Sequence, residues 1–89
     1  STALNRLGII HIGTGQLAEA ETAFKRALEY DPLYAQVLSN MGVLYAQHMQ
    51  RPDEAYRVYR RFMDIAPDDR QAPAVARWLG EYQSRLVGR

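Results

Sequence analysis

Along this chain apolar residues recur at steps of three and four, and glycine or proline interrupts them at short intervals. Leu4, Leu7 and His11 lie on one face of a first helix. Gly13-Thr14-Gly15 ends it, glycine being the residue that accepts the left-handed conformation just past a helix. Leu17, Ala20, Phe24, Ala27 and Leu28 give the face of a second helix. Asp31-Pro32 stops that one, because proline pushes the residue before it out of the helical region. Leu38, Met41, Leu44 and Tyr45 predict a third. Pro52 followed by Asp53 and Glu54 predicts the start of a fourth, with proline in the first turn and acids at the positive dipole end. Ala66-Pro67 ends it. The last segment, about Arg70–Leu86, carries Ala72, Val75, Ala76, Leu79, Tyr82 and Leu86 on one face and Pro73 in its first turn. Five helices joined by short loops, with no strand signal, make an all-α chain.

The pattern repeats. Leu4, Leu7, Gly8 and His11 are answered 34 residues later by Leu38, Met41, Gly42 and Tyr45. Ala20, Phe24 and Pro32 are answered 35 residues later by Ala55, Tyr59 and Pro67. The change of offset places one inserted residue in the loop His48–Asp53.

Leu4-x₂-Leu7-Gly8-x₂-His11, with Ala20-x₃-Phe24, Ala27 and Pro32, resembles the signature of the tetratricopeptide repeat family. Leu38-x₂-Met41-Gly42-x₂-Tyr45, Ala55-x₃-Tyr59 and Pro67 resembles it a second time. The resemblance covers about residues 1–67. It implies antiparallel helix pairs stacked as an α-α superhelix, a single solenoid domain. Repeat one would be 1–34, repeat two 35–69, and 70–89 a capping helix over the last exposed apolar face. Gly8 and Gly42 would let paired helices approach, with Phe24 and Tyr59 filling the space between pairs. Leu4 and Leu38 stand where the family favours Trp, and His11 where it favours Tyr. Phe62 replaces the small Ala27, and is expected to push the fourth helix outward or to be absorbed by a smaller neighbour. Leu79-Gly80 lies three residues late for a third repeat in register.

For function, the resemblance implies a concave groove lined by the first helix of each pair. The residues left over from the core there are Asn5, Arg6, Ile9 and Ile12, then Gln36, Ser39, Asn40, Val43 and Gln47. Their amides can hydrogen-bond an extended peptide, and their aliphatic groups offer apolar contact. The expected role is a scaffold that binds a peptide or helix of a partner protein. Chaperone-binding members grip a C-terminal carboxylate with Lys, Asn and Arg; only Asn40 has a counterpart here, which excludes that partner class.

Composition narrows the alternatives. Eighty-nine residues form one small domain, and 47% apolar residues suffice for a core. With 11 basic and 10 acidic side chains, the net charge of +1 gives no broad pull toward nucleic acid or an anionic membrane. Residues 1–50 carry −1 and residues 51–89 carry +2. Arg57, Arg60 and Arg61 crowd the fourth helix with Arg51 nearby, so an α-repeat binding nucleic acid through this half is the second function considered. It is disfavoured, because Asp53, Glu54 and Asp64 balance the charge and no aromatic interleaving is evident. Without cysteine there is no disulfide or thiolate metal site, and cytoplasm and periplasm stay equally open. The apolar runs are too short to span a membrane.

No catalytic, cofactor or metal site is expected. His11 reads as a core histidine and His48 as a helix-end residue, and no further ligand converges on them. Gly13-Thr14-Gly15 joins two helices and is a turn, not a phosphate loop. Asp53-Glu54 and Asp68-Asp69 read as helix starts, and Trp78 as a packing residue of the closing helix. Starting at Ser1 without Met, the chain reads as a piece of a longer protein. Helical repeats generally need about three units, so flanking repeats or self-association into a homo-oligomer through uncovered faces are also expected.

Overall fold

The computed structural model describes residues 2–88, and among these the five predicted helices are present with no strand. They are α1 (Thr2–Gly13), α2 (Leu17–Tyr30), α3 (Ala35–Val43), α4 (Pro52–Ile65) and α5 (Ala72–Val87). A π-helical turn, Leu44–His48, prolongs α3. α1 packs antiparallel against α2 and α3 against α4, while α5 lies on α4.

Local chemistry sets the turns. Gly15 stands at φ +79°, and its N–H donates to Ile12 O (3.1 Å) while Gln16 N–H donates to His11 O (2.8 Å). These paired bonds form the glycine-based stop that closes α1. In the second repeat the corresponding bond runs from Arg51 N–H to Tyr45 O (2.8 Å), one residue wider, and Gln50 takes the left-handed place at φ 56°. The inserted residue therefore falls between Tyr45 and Gln50. It is absorbed by the π turn inside the helix end, not by the loop His48–Asp53 that sequence reading assigned it. A π turn takes up one extra residue while both flanking segments keep their facing.

Between repeats, Asp31 Oδ1 accepts Leu33 N–H (3.1 Å), and before α5 Asp69 Oδ1 accepts Gln71 N–H (2.8 Å). Asp53 and Glu54 sit in the first turn of α4 as expected. Asp68 and Asp69 instead form the turn that precedes α5, whose helix begins at Ala72.

The core runs through Ala20, Phe24, Ala27, Leu38, Leu44 and Ala55. A Cβ on Gly8 would lie no further than 2.7 Å from three Phe24 ring carbons. On Gly42 it would lie no further than 2.5 Å from three of Tyr59. Only glycine permits these crossings, since carbon atoms at such separations overlap. Phe62, where repeat one has Ala27, is taken fully into the core. On α5 the buried stripe is Ala72, Val75 and Leu79. Ala76, on its flank, and Leu86, past the end of the covered surface, are both exposed, contrary to the sequence expectation.

Candidate functional site

One side of α3 faces one side of α5 across a cavity of about 300 Å³. Ser39, Asn40, Val43 and Gln47 come from α3 and its π turn, at the spacing that keeps side chains on one helical face. Gln71, Ala74, Val75 and Trp78 face them from α5 and its N-terminal cap, and Tyr59 of α4 also lines the cavity. No carboxylate, lysine or arginine lines it.

The aromatic part is packed ring against ring. Trp78 meets the Tyr59 ring edge-on at 5.2 Å and stacks on Tyr82 at 5.3 Å with an interplanar angle of 6°. Tyr59 is 6% exposed, and burial raises its phenol pKa, so it is a neutral hydroxyl at neutral pH. Among the described residues nothing hydrogen-bonds that hydroxyl, and no fully buried polar side-chain atom lacks a partner. The oxygen is therefore not sealed from solvent, and Tyr59 is one of the residues that line the cavity.

Of the nine residues named from sequence, four come together here: Ser39, Asn40, Val43 and Gln47. Asn5 is 7% exposed, and its Oδ1 accepts a hydrogen bond from Asn40 Nδ2 (2.8 Å). Ser39 is 3% exposed and its hydroxyl donates to Gln36 O (3.0 Å). Both side chains are thus engaged within the fold, and Asn5 fixes Asn40 at the cavity wall. Arg6, Ile9 and Gln36 are exposed and Ile12 is half-buried, and none of the four lines this cavity. Sequence reading missed Tyr59, Gln71, Ala74, Val75 and Trp78. Leu79-Gly80, the displaced echo of Leu7-Gly8 and Met41-Gly42, was the one signal in the sequence that α5 could share a cavity with α3.

The opposite end of the stack is open. Leu38, Met41 and Tyr45 are 0%, 3% and 2% exposed beneath the first helix pair. Their counterparts Leu4, Leu7 and His11 line a cavity of about 290 Å³, and Leu7 is 42% exposed. His11 is accordingly not the core histidine expected. It is half-buried, with Nδ1 at 2.9 Å from Gln16 Oε1. Where the repeats do meet, Tyr45 OH donates to Glu21 Oε2 (2.7 Å), with Lys25 at 3.3 Å and Arg51 at 3.8 Å. Burial and this bond push the Tyr45 phenol well up. Burial alone would raise Glu21, but the Tyr45 bond and the two cations hold its carboxyl below the ordinary value.

The arginines of α4 are partly committed. Arg51 also reaches Glu54 (3.7 Å), Arg61 donates to Pro32 O (3.1 Å), and Arg60 lies 6.0 Å over the Tyr56 ring. Tyr56 and Tyr82 line a further cavity with Arg57, so aromatic groups do adjoin this face, which the sequence reading had denied. Among the described residues no three His, Cys, Asp or Glu side chains converge, and no helix is long and apolar enough to cross a membrane.

Comparison with known proteins agrees with the geometry. A family model described as tetratricopeptide repeat matches residues 1–34, and a second of the same description matches residues 37–73. No curated protein and no solved structure gives a match.

Proposed function

From the premise that the chain belongs to the tetratricopeptide repeat family, whose repeats are generally protein–protein interaction modules, we propose that it is a scaffold holding a peptide segment of a partner protein between α3 and α5. The observation that carries this is the cavity itself, where polar and apolar side chains from two helices converge on a packed aromatic pair. A concave site with a few fixed polar groups and no convergent titratable set suits binding rather than catalysis. In this reading α5 closes the stack, and the boundaries are repeats 1–34 and 35–69 followed by the closing helix.

The test is capture of proteins from source lysate on the native chain, on Ala74→Arg inside the groove, and on Ile9→Asp on α1. Both positions are exposed, so neither substitution strains the core. Proteins held in the groove are lost with Ala74→Arg. Recovery of the same proteins on Ala74→Arg and on the native chain would refute the groove.

A second surface is supported by the contrast between Leu7, 42% exposed, and its covered counterpart Met41, 3% exposed. Self-association through that end predicts a sedimentation coefficient that rises with protein concentration, and no such rise for Leu7→Lys. Nucleic-acid binding by α4 has less support, since Arg51, Arg60 and Arg61 have partners within the fold. A steep fall of any such binding with added salt would revive it.

A further inference from the structure

If α3 and α5 hold a peptide as proposed, the lining of their groove sets what it accepts. Repeat one places Phe24 against Gly8, and repeat two places Tyr59 against Gly42. The two crossings are equivalent, so the helix pair does not require the Tyr59 hydroxyl in order to pack. That hydroxyl nonetheless belongs to a side chain more than nine-tenths buried, has no hydrogen-bond partner among the described residues, is not sealed from solvent, and sits on a residue that lines the cavity between α3 and α5. A hydroxyl with such narrow access to water can trade its water for an acceptor on whatever enters the cavity at little cost.

The other lining groups are neutral amides and small or aliphatic side chains, with the Trp78 indole at one side. A charged group entering this space would shed water and meet no counter-charge, which is unfavourable. A space of about 300 Å³ receives two or three side chains of an extended chain. A helix could offer the cavity only the side chains of one face, its carbonyls being engaged along its own axis, whereas an extended chain also brings free backbone carbonyls. We propose that the groove selects an uncharged, extended segment of a partner protein, with a backbone carbonyl of that segment accepting from the Tyr59 hydroxyl and small apolar side chains against Val43, Val75 and Trp78.

The test is selection of nine-residue random peptides displayed on phage against the immobilised full chain. Selected peptides are then synthesised and titrated by the fluorescence of Trp78, the chain's single tryptophan. Asp, Glu, Lys and Arg are expected to be depleted in the central positions of selected peptides. Tyr59→Phe, which reproduces the packing of repeat one, should melt within a few degrees of the native chain yet bind roughly five- to tenfold more weakly, the loss of one neutral hydrogen bond. A central Glu or Lys in the peptide should weaken binding by about tenfold or more. If Ala74→Arg abolishes binding while Tyr59→Phe and the charged peptides bind as the originals do, the groove stands and this inference falls. If Ala74→Arg binds like the native chain, or no peptide is enriched, both fall.

Discussion

Gly42→Ala adds one methyl group where the helices of the second repeat cross. The new Cβ would lie within 2.5 Å of three Tyr59 ring carbons, and the ring has little room to shift, being 6% exposed and packed edge-on with Trp78 at 5.2 Å. Overpacking of this kind costs about 1–3 kcal/mol, and the severity of the overlap puts it at or beyond the upper end. Against that, alanine is favoured over glycine in a helix interior by about 1 kcal/mol. The net expectation is a loss of about 2 kcal/mol, which for a domain this small lowers the melting temperature by roughly 10 °C. Gly80 provides the control: it is exposed in the middle of α5, with nothing within 4 Å of a built Cβ. Gly80→Ala should therefore stabilise by about 0.5–1 kcal/mol. Both are read by thermal and urea unfolding followed by far-UV circular dichroism. In the background Tyr59→Leu, the cost of Gly42→Ala should shrink by about 1 kcal/mol or more, the signature of a direct contact. A Gly42→Ala chain that melts higher than the native one, as Gly80→Ala should, would refute the crossing described.

Three further outcomes follow from the same geometry. Gln50→Gly relieves a left-handed residue and should raise stability by about 0.5–1 kcal/mol in urea unfolding, whereas Gly15→Ala should lower it by a similar amount. Asn40→Ala strips the buried Asn5 of its donor and should cost about 1–3 kcal/mol by the same measurement, which makes it a poor variant for testing binding alone. Stability should also fall at both extremes of pH. The Glu21 carboxyl is held below its ordinary value of 4.5, so its contribution is full above that value and fades as pH drops through the lower folded-state value. Tyr45 and Tyr59 are raised above 10.0, so theirs is full below pH 10 and is lost as pH climbs beyond it. Tyr45→Phe should flatten the alkaline limb seen in unfolding titrations and weaken the acid one.

The helices, their pairing and the glycine crossings were legible because each rests on a local rule or on two copies that can be compared. Leu4 and Leu38, Gly8 and Gly42, and Phe24 and Tyr59 announce one another across the repeat. The candidate groove was legible in half. Residues of α3 were named because periodicity fixes which side of a helix is left over from the core. Those of α5 were not, because a helix read as a cap has no assigned inner side until its packing against α4 is known. Burial states were legible least. Leu7 and His11 look like Met41 and Tyr45 in sequence, and only the presence or absence of a neighbouring pair decides whether they are covered. Asn5 reads as a ligand donor, yet a partner 35 residues away uses its oxygen. The π turn gave no signal beyond the change of offset, which a longer loop would have produced equally well.

The most direct measurement is a ¹⁵N–¹H correlation spectrum of the labelled chain titrated with a peptide selected against it. Binding between α3 and α5 moves the amides of Asn40, Val43, Gln47 and Ala74 together with the indole N–H of Trp78, and leaves the outer sides of α2 and α4 in place. Shifts gathered on Lys25, Arg57 and Arg60 with the Trp78 indole unmoved would contradict it.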